Sequence, residues 1–144
     1  MRSFCLLTGL ALMLSACGPE VGGRTELTLE LAAFSSTDVL TVYVLSQDLK
    51  GGGKVSCSML QASDPTFQDT SRIDILAKDS ANANQLESGA VTLELIDIPA
   101  GPDRIFGAEV VDLNTSARRG FGCTPGVTIE ANKAVQVNLS VTEI

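Results

Sequence analysis

The sequence predicts an all-β domain, an antiparallel β-sandwich of about seven strands that follows a short N-terminal signal segment. Several short segments alternate apolar and polar residues with the period of two that a half-buried strand requires. Turn residues separate these segments, and no long stretch shows the helical period. The chain has 144 residues, 44% of them hydrophobic, which suffices for one such domain.

The first part of the domain holds two clear strands. Residues 25–31 alternate leucine with polar residues, which predicts a strand with one buried face. Residues 39–45 are rich in β-branched side chains and predict a second strand. Tyr43 and Leu45 lie on the face opposite its main apolar row, so we expect this strand to be covered on both sides. Three glycines at 51–53 then predict a loop.

The middle of the chain is less regular. Residues 56–61 fit either a short helix or a strand, and Asp64-Pro65 marks a turn. Residues 71–78 form a candidate strand. Residues 80–89 are polar and rich in asparagine, which favours an exposed loop.

The last part of the domain predicts further strands. They cover residues 91–98, 104–112, 118–124, 127–130 and 134–141. Between the first two, Pro99-Ala100-Gly101-Pro102 predicts a tight turn, because proline fixes φ and glycine tolerates a positive φ.

Residues 91–141 resemble a known type of domain. A strand that ends in Leu95 to Gly101, followed by a strand and a final alternating strand, is similar to transthyretin-like and carboxypeptidase-regulatory-like sandwiches. The segment also resembles small Cys-containing lipoproteins of predatory and social bacteria. The resemblance implies an immunoglobulin-like (transthyretin-like) sandwich. It implies a fold class only, because one fold hosts many functions.

The N-terminus has the pattern of a targeting segment. Arg2 precedes an apolar run at 4–13 that is too short to span a bilayer as a helix, and Leu14-Ser15-Ala16-Cys17 follows. This motif resembles the lipobox of bacterial lipoproteins. The family implies cleavage before Cys17, a diacylglyceryl thioether on its sulfur, and acylation, for example by palmitate, of the new amino group. The alternative is an ordinary secretory signal in which Cys17 is incidental.

The lipobox predicts three parts of the chain: a lipoprotein signal peptide at 1–16, the lipidated cysteine with a flexible tether at 17–24, and the β-sandwich domain at 25–144. Two or three acyl chains hold a protein stably on a membrane. Gly18 follows the cysteine, where an aspartate retains the lipoproteins of enteric bacteria in the inner membrane. The resemblance therefore favours the outer membrane of a bacterial envelope.

Charge and composition exclude several classes of function. The chain carries 17 acidic and 10 basic residues, for a net charge of −7. A nucleic-acid-binding protein normally has a basic face, so we expect no nucleic-acid partner. The sequence has no histidine, which removes the usual general base and the usual zinc ligand. We therefore expect neither an enzyme nor a dedicated metal centre.

Cys57 and Cys123 remain after the signal segment and the lipid have used the other two cysteines. In an oxidising envelope such a pair usually forms a disulfide. The bond would close a loop of 66 residues, which contributes about 4 kcal/mol in the chain-entropy model. A metal site, a redox pair or a nucleophilic cysteine would each need ligands, spacing or a histidine that the sequence does not provide.

Two further clusters are candidates for ligand contact. Arg118 and Arg119 could hold an anionic glycan or phosphate with Phe121 stacked against it, or the arginines could simply protect a strand edge. Asp64 and Asp69 belong to an acidic series with a spacing of five, which fits a solvated region better than a calcium loop. A weak calcium site there is the alternative.

The sequence thus predicts a lipid-anchored envelope protein with a non-enzymatic structural or binding role of the accessory or adhesion type. Its expected partners are the membrane, through the lipid, and another envelope protein or a polysaccharide. The loops at 51–54 and 80–89 are the expected contact surfaces. The alternative function is a calcium-assisted or small-ligand and glycan-binding envelope protein.

Overall fold

The computed structural model describes residues 22–31, 35, 37–82 and 89–144. Within these residues the chain forms seven strands and one short helix. They are β1 (Gly23–Leu31), β2 (Asp38–Leu45), α1 (Cys57–Gln61), β3 (Ile75–Asn82), β4 (Gly89–Ile98), β5 (Gly101–Asp112), β6 (Arg118–Ile129) and β7 (Ala134–Glu143). In this part of the chain, no helix has the length and hydropathy to cross a membrane.

The strands form one sheet in the order β3-β2-β5-β6-β7-β1-β4. The two edge strands, β3 and β4, come close to each other, so the sheet is nearly closed. The all-β class and the seven strands are confirmed. However, one mixed, nearly closed sheet takes the place of the predicted antiparallel immunoglobulin-like sandwich, because β1 and β7 pair in parallel. Alternation shows which face of a strand is buried, but it does not set the direction of two strands that no hairpin connects.

The main core fills the inside of this sheet. It gathers the inward-facing side chains of six strands, as the alternating pattern predicts. Its buried members are Leu27, Leu29, Leu40, Val42, Val44, Leu95, Ile98, Phe106, Ala108, Val110, Ile129, Val137, Leu139 and Val141. Strands from opposite ends of the sheet order share this one core, which is why the sheet curves round on itself.

A second core lies on the outside of β2, β5 and β6. Residues 46–74, which we call the crossover, run from β2 to β3 and cover this outer face. The buried side chains of this second core are Tyr43, Leu45, Val55, Leu60, Phe67, Ile73, Ile105 and Phe121. The prediction that β2 is covered on both sides is therefore confirmed.

The structure settles the region that the sequence left open and moves several strand boundaries, including the start of β3 from 71 to 75 and that of β5 from 104 to 101. Residues 57–61 are helical, and the Ser56 side chain accepts a hydrogen bond from the Met59 amide at the start of α1. β3 extends to Asn82, so the first residues of the predicted loop at 80–89 are strand, and residues 83–88 lie outside the described part. β6 runs unbroken through Pro125-Gly126, where an extra residue and a positive φ at Gly126 accommodate the bend.

Candidate functional site

The predicted lipidation site, Cys17, lies outside the described residues, as does the whole lipobox. The described chain begins at Gly22, and β1 starts at Gly23. The structure therefore shows where the tether enters the domain, at the end of the sheet that also carries the β4–β5 and β6–β7 turns. Lipidation itself stays a prediction.

The disulfide joins the crossover to the sheet. Cys57, the first residue of α1, is bonded to Cys123 of β6, with 5.7 Å between the two Cα atoms. This is the pairing that the sequence predicts. The bond places α1 against the outer face of β6, beside Phe121, and so anchors one end of the second core.

Arg118 and Phe121 serve this same junction. The Arg118 guanidinium donates to the backbone carbonyl of Leu60, at 2.9 Å, and to that of Gln61. Both carbonyls lie at the C-terminal end of α1, where a cation is favourable. The guanidinium also lies 5.2 Å from the centroid of the Phe121 ring, which is only 8% exposed.

Arg119 points to different neighbours. Its guanidinium lies 3.9 Å from Asp112 and 3.8 Å from Glu143. The three residues proposed as one ligand contact therefore bind different neighbours within the chain. Arg118 and Phe121 contact α1 or each other, and Arg119 pairs with Asp112 and Glu143.

Aromatic stacking over a glycine packs the crossover against the sheet. The Phe67 ring stacks on Tyr43, with ring centroids 4.7 Å apart and an interplanar angle of 3°. On its other side the Phe121 centroid is 6.0 Å away. A Cβ on Gly107 of β5 would collide with the Phe67 ring, so glycine at this position makes room for the aromatic side chain.

A buried carboxylate adds hydrogen bonds between the crossover and the sheet. Glu109, 6% exposed, accepts hydrogen bonds from the Tyr43 hydroxyl at 2.9 Å and from the Gln68 amide at 2.8 Å. Burial, and then the charge of Glu109, raise the pKa of Tyr43 to about 12. The sequence analysis missed Glu109 and Gln68. In the sequence, Glu109 is an acidic residue at an outward position of β5, and that position by itself indicates exposure to solvent.

Asp64 and Asp69, the two aspartates proposed as a weak calcium site, already contact other side chains of the chain. Asp64 forms an ion pair with Arg72, and Asp69 accepts a hydrogen bond from the Ser71 hydroxyl. Among the described residues, no three or more acidic or cysteine side chains gather in an arrangement that could hold a metal ion.

The outer face of β4, β1 and β7 differs from the face under the crossover, because the described chain leaves it open. Most of its described outward side chains are polar and exposed, and Ile96 is an exposed apolar one. They include Arg24, Glu26, Glu30, Thr92, Glu94, Gln136, Asn138 and Ser140. Glu26 and Glu94 are directly opposite each other, and Arg24 pairs with Glu94 at 3.2 Å. A shallow groove of about 490 Å³ lies between these charges, and a second of about 370 Å³ extends from Arg24 towards Ile96 and Lys133.

Comparisons with known proteins add little to this picture. No protein-family model matches the chain, and no curated protein matches its sequence. Among solved structures, the chain is similar to an alternative pilotin from the type II secretion system of Vibrio cholerae. The similarity has a TM-score of 0.49 and 16% sequence identity, over 85% of this chain and 96% of the pilotin. A likeness at this level assigns no function.

Proposed function

We propose that this protein is a lipid-anchored lipoprotein of the bacterial envelope, on the outer membrane, with a non-enzymatic accessory role. The observation that carries the proposal is Leu14-Ser15-Ala16-Cys17 directly after a short apolar run. The tether between Cys17 and β1 is five residues long, and an extended chain of that length spans about 18 Å at most. The domain would therefore stay close to the membrane surface.

The disulfide supports an extracytoplasmic location. Cys57 and Cys123 are bonded across the second core, and structural disulfides form and persist in oxidising compartments such as the periplasm. The crossover, which covers the outer face of β2, β5 and β6, depends on this bond for one of its attachments.

We propose that the partner binds the open face of β4, β1 and β7, and that it is an envelope protein or a polysaccharide. Most described side chains on this face are exposed, and they present carboxylates, amides and hydroxyls in register across three strands. Such groups donate and accept hydrogen bonds with polar partners. On the outer face of β2, β5 and β6, by contrast, the described crossover buries Tyr43, Ile105 and Phe121.

The anchor is tested by replacing Cys17 with alanine in full-length protein expressed in a bacterium. We expect loss of palmitate labelling and an unprocessed N-terminus by mass spectrometry. Cys5→Ala is the matched control, because it removes a cysteine of the signal segment but leaves the lipobox intact. Normal labelling of Cys17→Ala, or an unmodified N-terminus in the wild type, would contradict the proposal.

The partner-binding face is tested by site-specific photocross-linking in intact cells. A photoreactive residue at Thr28 or Asn138, in the middle of the open face, should capture a partner that the same residue at Gln61, on the crossover, does not. Equal capture from both faces would count against the open face as the binding surface.

A further inference from the structure

The end of the sheet where β1 begins, which we call the tether end, carries an exposed apolar side chain beside a groove. Ile96 of β4 is 62% exposed. The groove has a volume of about 370 Å³, and its lining includes Ile96, Gly22, Arg24 and Lys133. Pro99-Ala100, in the turn that follows β4, is also exposed. This end of the domain therefore presents apolar surface to its surroundings.

The chain enters the domain directly beside Ile96. A Cβ added to Gly22 would lie 2.7 Å from the backbone carbonyl carbon of Asp97, so Gly22 packs against the residue that follows Ile96. The Arg24 amide donates to the Lys133 carbonyl at 3.0 Å, which holds the β6–β7 turn against the same entry point. The chain entry, the groove and the exposed isoleucine are therefore one continuous surface.

The length of the tether keeps this surface near the membrane. Five residues separate Cys17 from β1, and they span about 18 Å at most. β5 runs from the tether end to Asp112 over 12 residues, which corresponds to about 36 Å. Leu113 follows Asp112 and is 66% exposed, much like Ile96. An anchored domain thus keeps Ile96 close to the bilayer, whereas Leu113 reaches the bilayer only if the domain lies on its side.

The polar outer face of β4, β1 and β7 disfavours that second orientation. Three of its exposed residues, Glu26, Glu30 and Glu94, are carboxylates, and charged groups lose free energy when they leave water. The tether end combines apolar side chains with charges that are already compensated, so it tolerates a bilayer better.

Both cations that line the groove are paired. Arg24 lies 3.2 Å from Glu94, and Lys133 lies 2.6 Å from Glu130. Free cations attract anionic lipids, whereas these paired ones give little preference for them. The contact with a bilayer therefore depends on the apolar side chain, which is favoured outside water. We expect it to form on zwitterionic phospholipid.

We propose that the tether end rests on the bilayer that carries the anchor, with Ile96 inserted at the level of the phospholipid head groups. The inference rests on the proposed lipidation of Cys17 and adds the orientation of the domain. The apolar side chain enters the interface while the paired charges stay among the head groups. In this orientation β1 and β7 both run away from the bilayer, so Thr28 and Asn138 remain accessible to a partner.

The test uses tryptophan as a reporter, because the chain contains none. Lipidated full-length Ile96→Trp and Leu113→Trp are added to phosphatidylcholine vesicles whose acyl chains carry bromine, which quenches indole fluorescence on contact. We expect a blue shift and strong quenching for Ile96→Trp. Leu113→Trp is the matched control and should show the unquenched emission of an indole in water.

Co-flotation of the wild type with the vesicles separates this inference from the proposed anchor. A wild type that does not float contradicts lipidation and the orientation together. If the wild type floats but the two tryptophan variants are quenched equally, or Ile96→Trp is not quenched, the anchor stands and the orientation is overturned.

A second measurement keeps the native isoleucine, because tryptophan itself favours membrane interfaces. Acylation by a water-soluble reagent, followed by mass spectrometry, compares Lys133 beside the groove with Lys78 in the middle of β3. Both residues are exposed. We expect the ratio of Lys133 to Lys78 labelling on vesicles to be several-fold lower in the wild type than in Ile96→Glu, whose charge opposes insertion. Equal ratios in the two proteins would refute the contact.

Discussion

The two outer faces of the sheet have opposite chemistry although they belong to one continuous set of strands. The outer face of β2, β5 and β6 is apolar and lies beneath the crossover, which is held by the disulfide, by Arg118 and by the Phe67 stack. The outer face of β4, β1 and β7 is polar and open. The difference teaches that packing is concentrated on one part of the surface: the face under the crossover holds the second core, and the open face is the one that we propose for partner binding.

The variant with the largest expected effect on stability removes the Phe67 ring from the covered face. Phe67 is 1% exposed and lies between two other aromatic rings, so Phe67→Ala should reduce the free energy of unfolding by about 3–5 kcal/mol. The matched control is Ile96→Ala on the open face, where the side chain is 62% exposed and we expect a change below about 0.5 kcal/mol. Urea unfolding followed by circular dichroism measures both. Similar losses in the two variants would remove the distinction between the faces.

The next test breaks the covalent attachment of the crossover. The double variant Cys57→Ala/Cys123→Ala should lose about 2–5 kcal/mol and make the crossover more accessible to limited proteolysis than the strands. We expect the same loss of stability when the wild type is unfolded in the presence of a reducing agent. An unchanged melting temperature under reduction would show that the aromatic stack holds the crossover without the disulfide.

The smallest effect is a dependence on alkaline pH. Tyr43 is the one tyrosine of the chain, so ultraviolet titration of its phenolate reports on the covered face alone. Its pKa is raised from 10.0 to about 12, so its contribution to stability is complete below pH 10 and is lost as the pH rises towards 12. Glu109→Gln should lower this pKa but leave it above 10, because burial remains. A tyrosine that titrates at its ordinary pKa in the folded protein would contradict the buried pair.

The sequence predicts the parts of this structure that depend on local pattern. The alternation in β1 and β7 correctly predicts the buried side chains Leu27, Leu29, Val137, Leu139 and Val141. Tyr43 with Leu45 correctly indicates cover on both sides of β2. Contacts between distant segments leave no such pattern. The sequence predicts Glu109 to be a surface residue, because its contact with Gln68 comes from a distant segment of the chain. Asp38 and Asp112 lie opposite each other only through the register of β2 with β5. The parallel direction of β1 and β7 depends on long-range packing in the same way.

That parallel pairing also affects the order in which the chain can assemble. β1 lies between β4 and β7, and its partners on β7 are about 110 residues further along the chain. Contacts over such a separation make folding slow, because the loop must close before the contact is gained. In the export that we propose, β1 would emerge first and keep one edge unpaired until β7 has also crossed the membrane. A C-terminal truncation that removes β7 should therefore disrupt the middle of the sheet, because β7 joins the N-terminal strand β1 to β6.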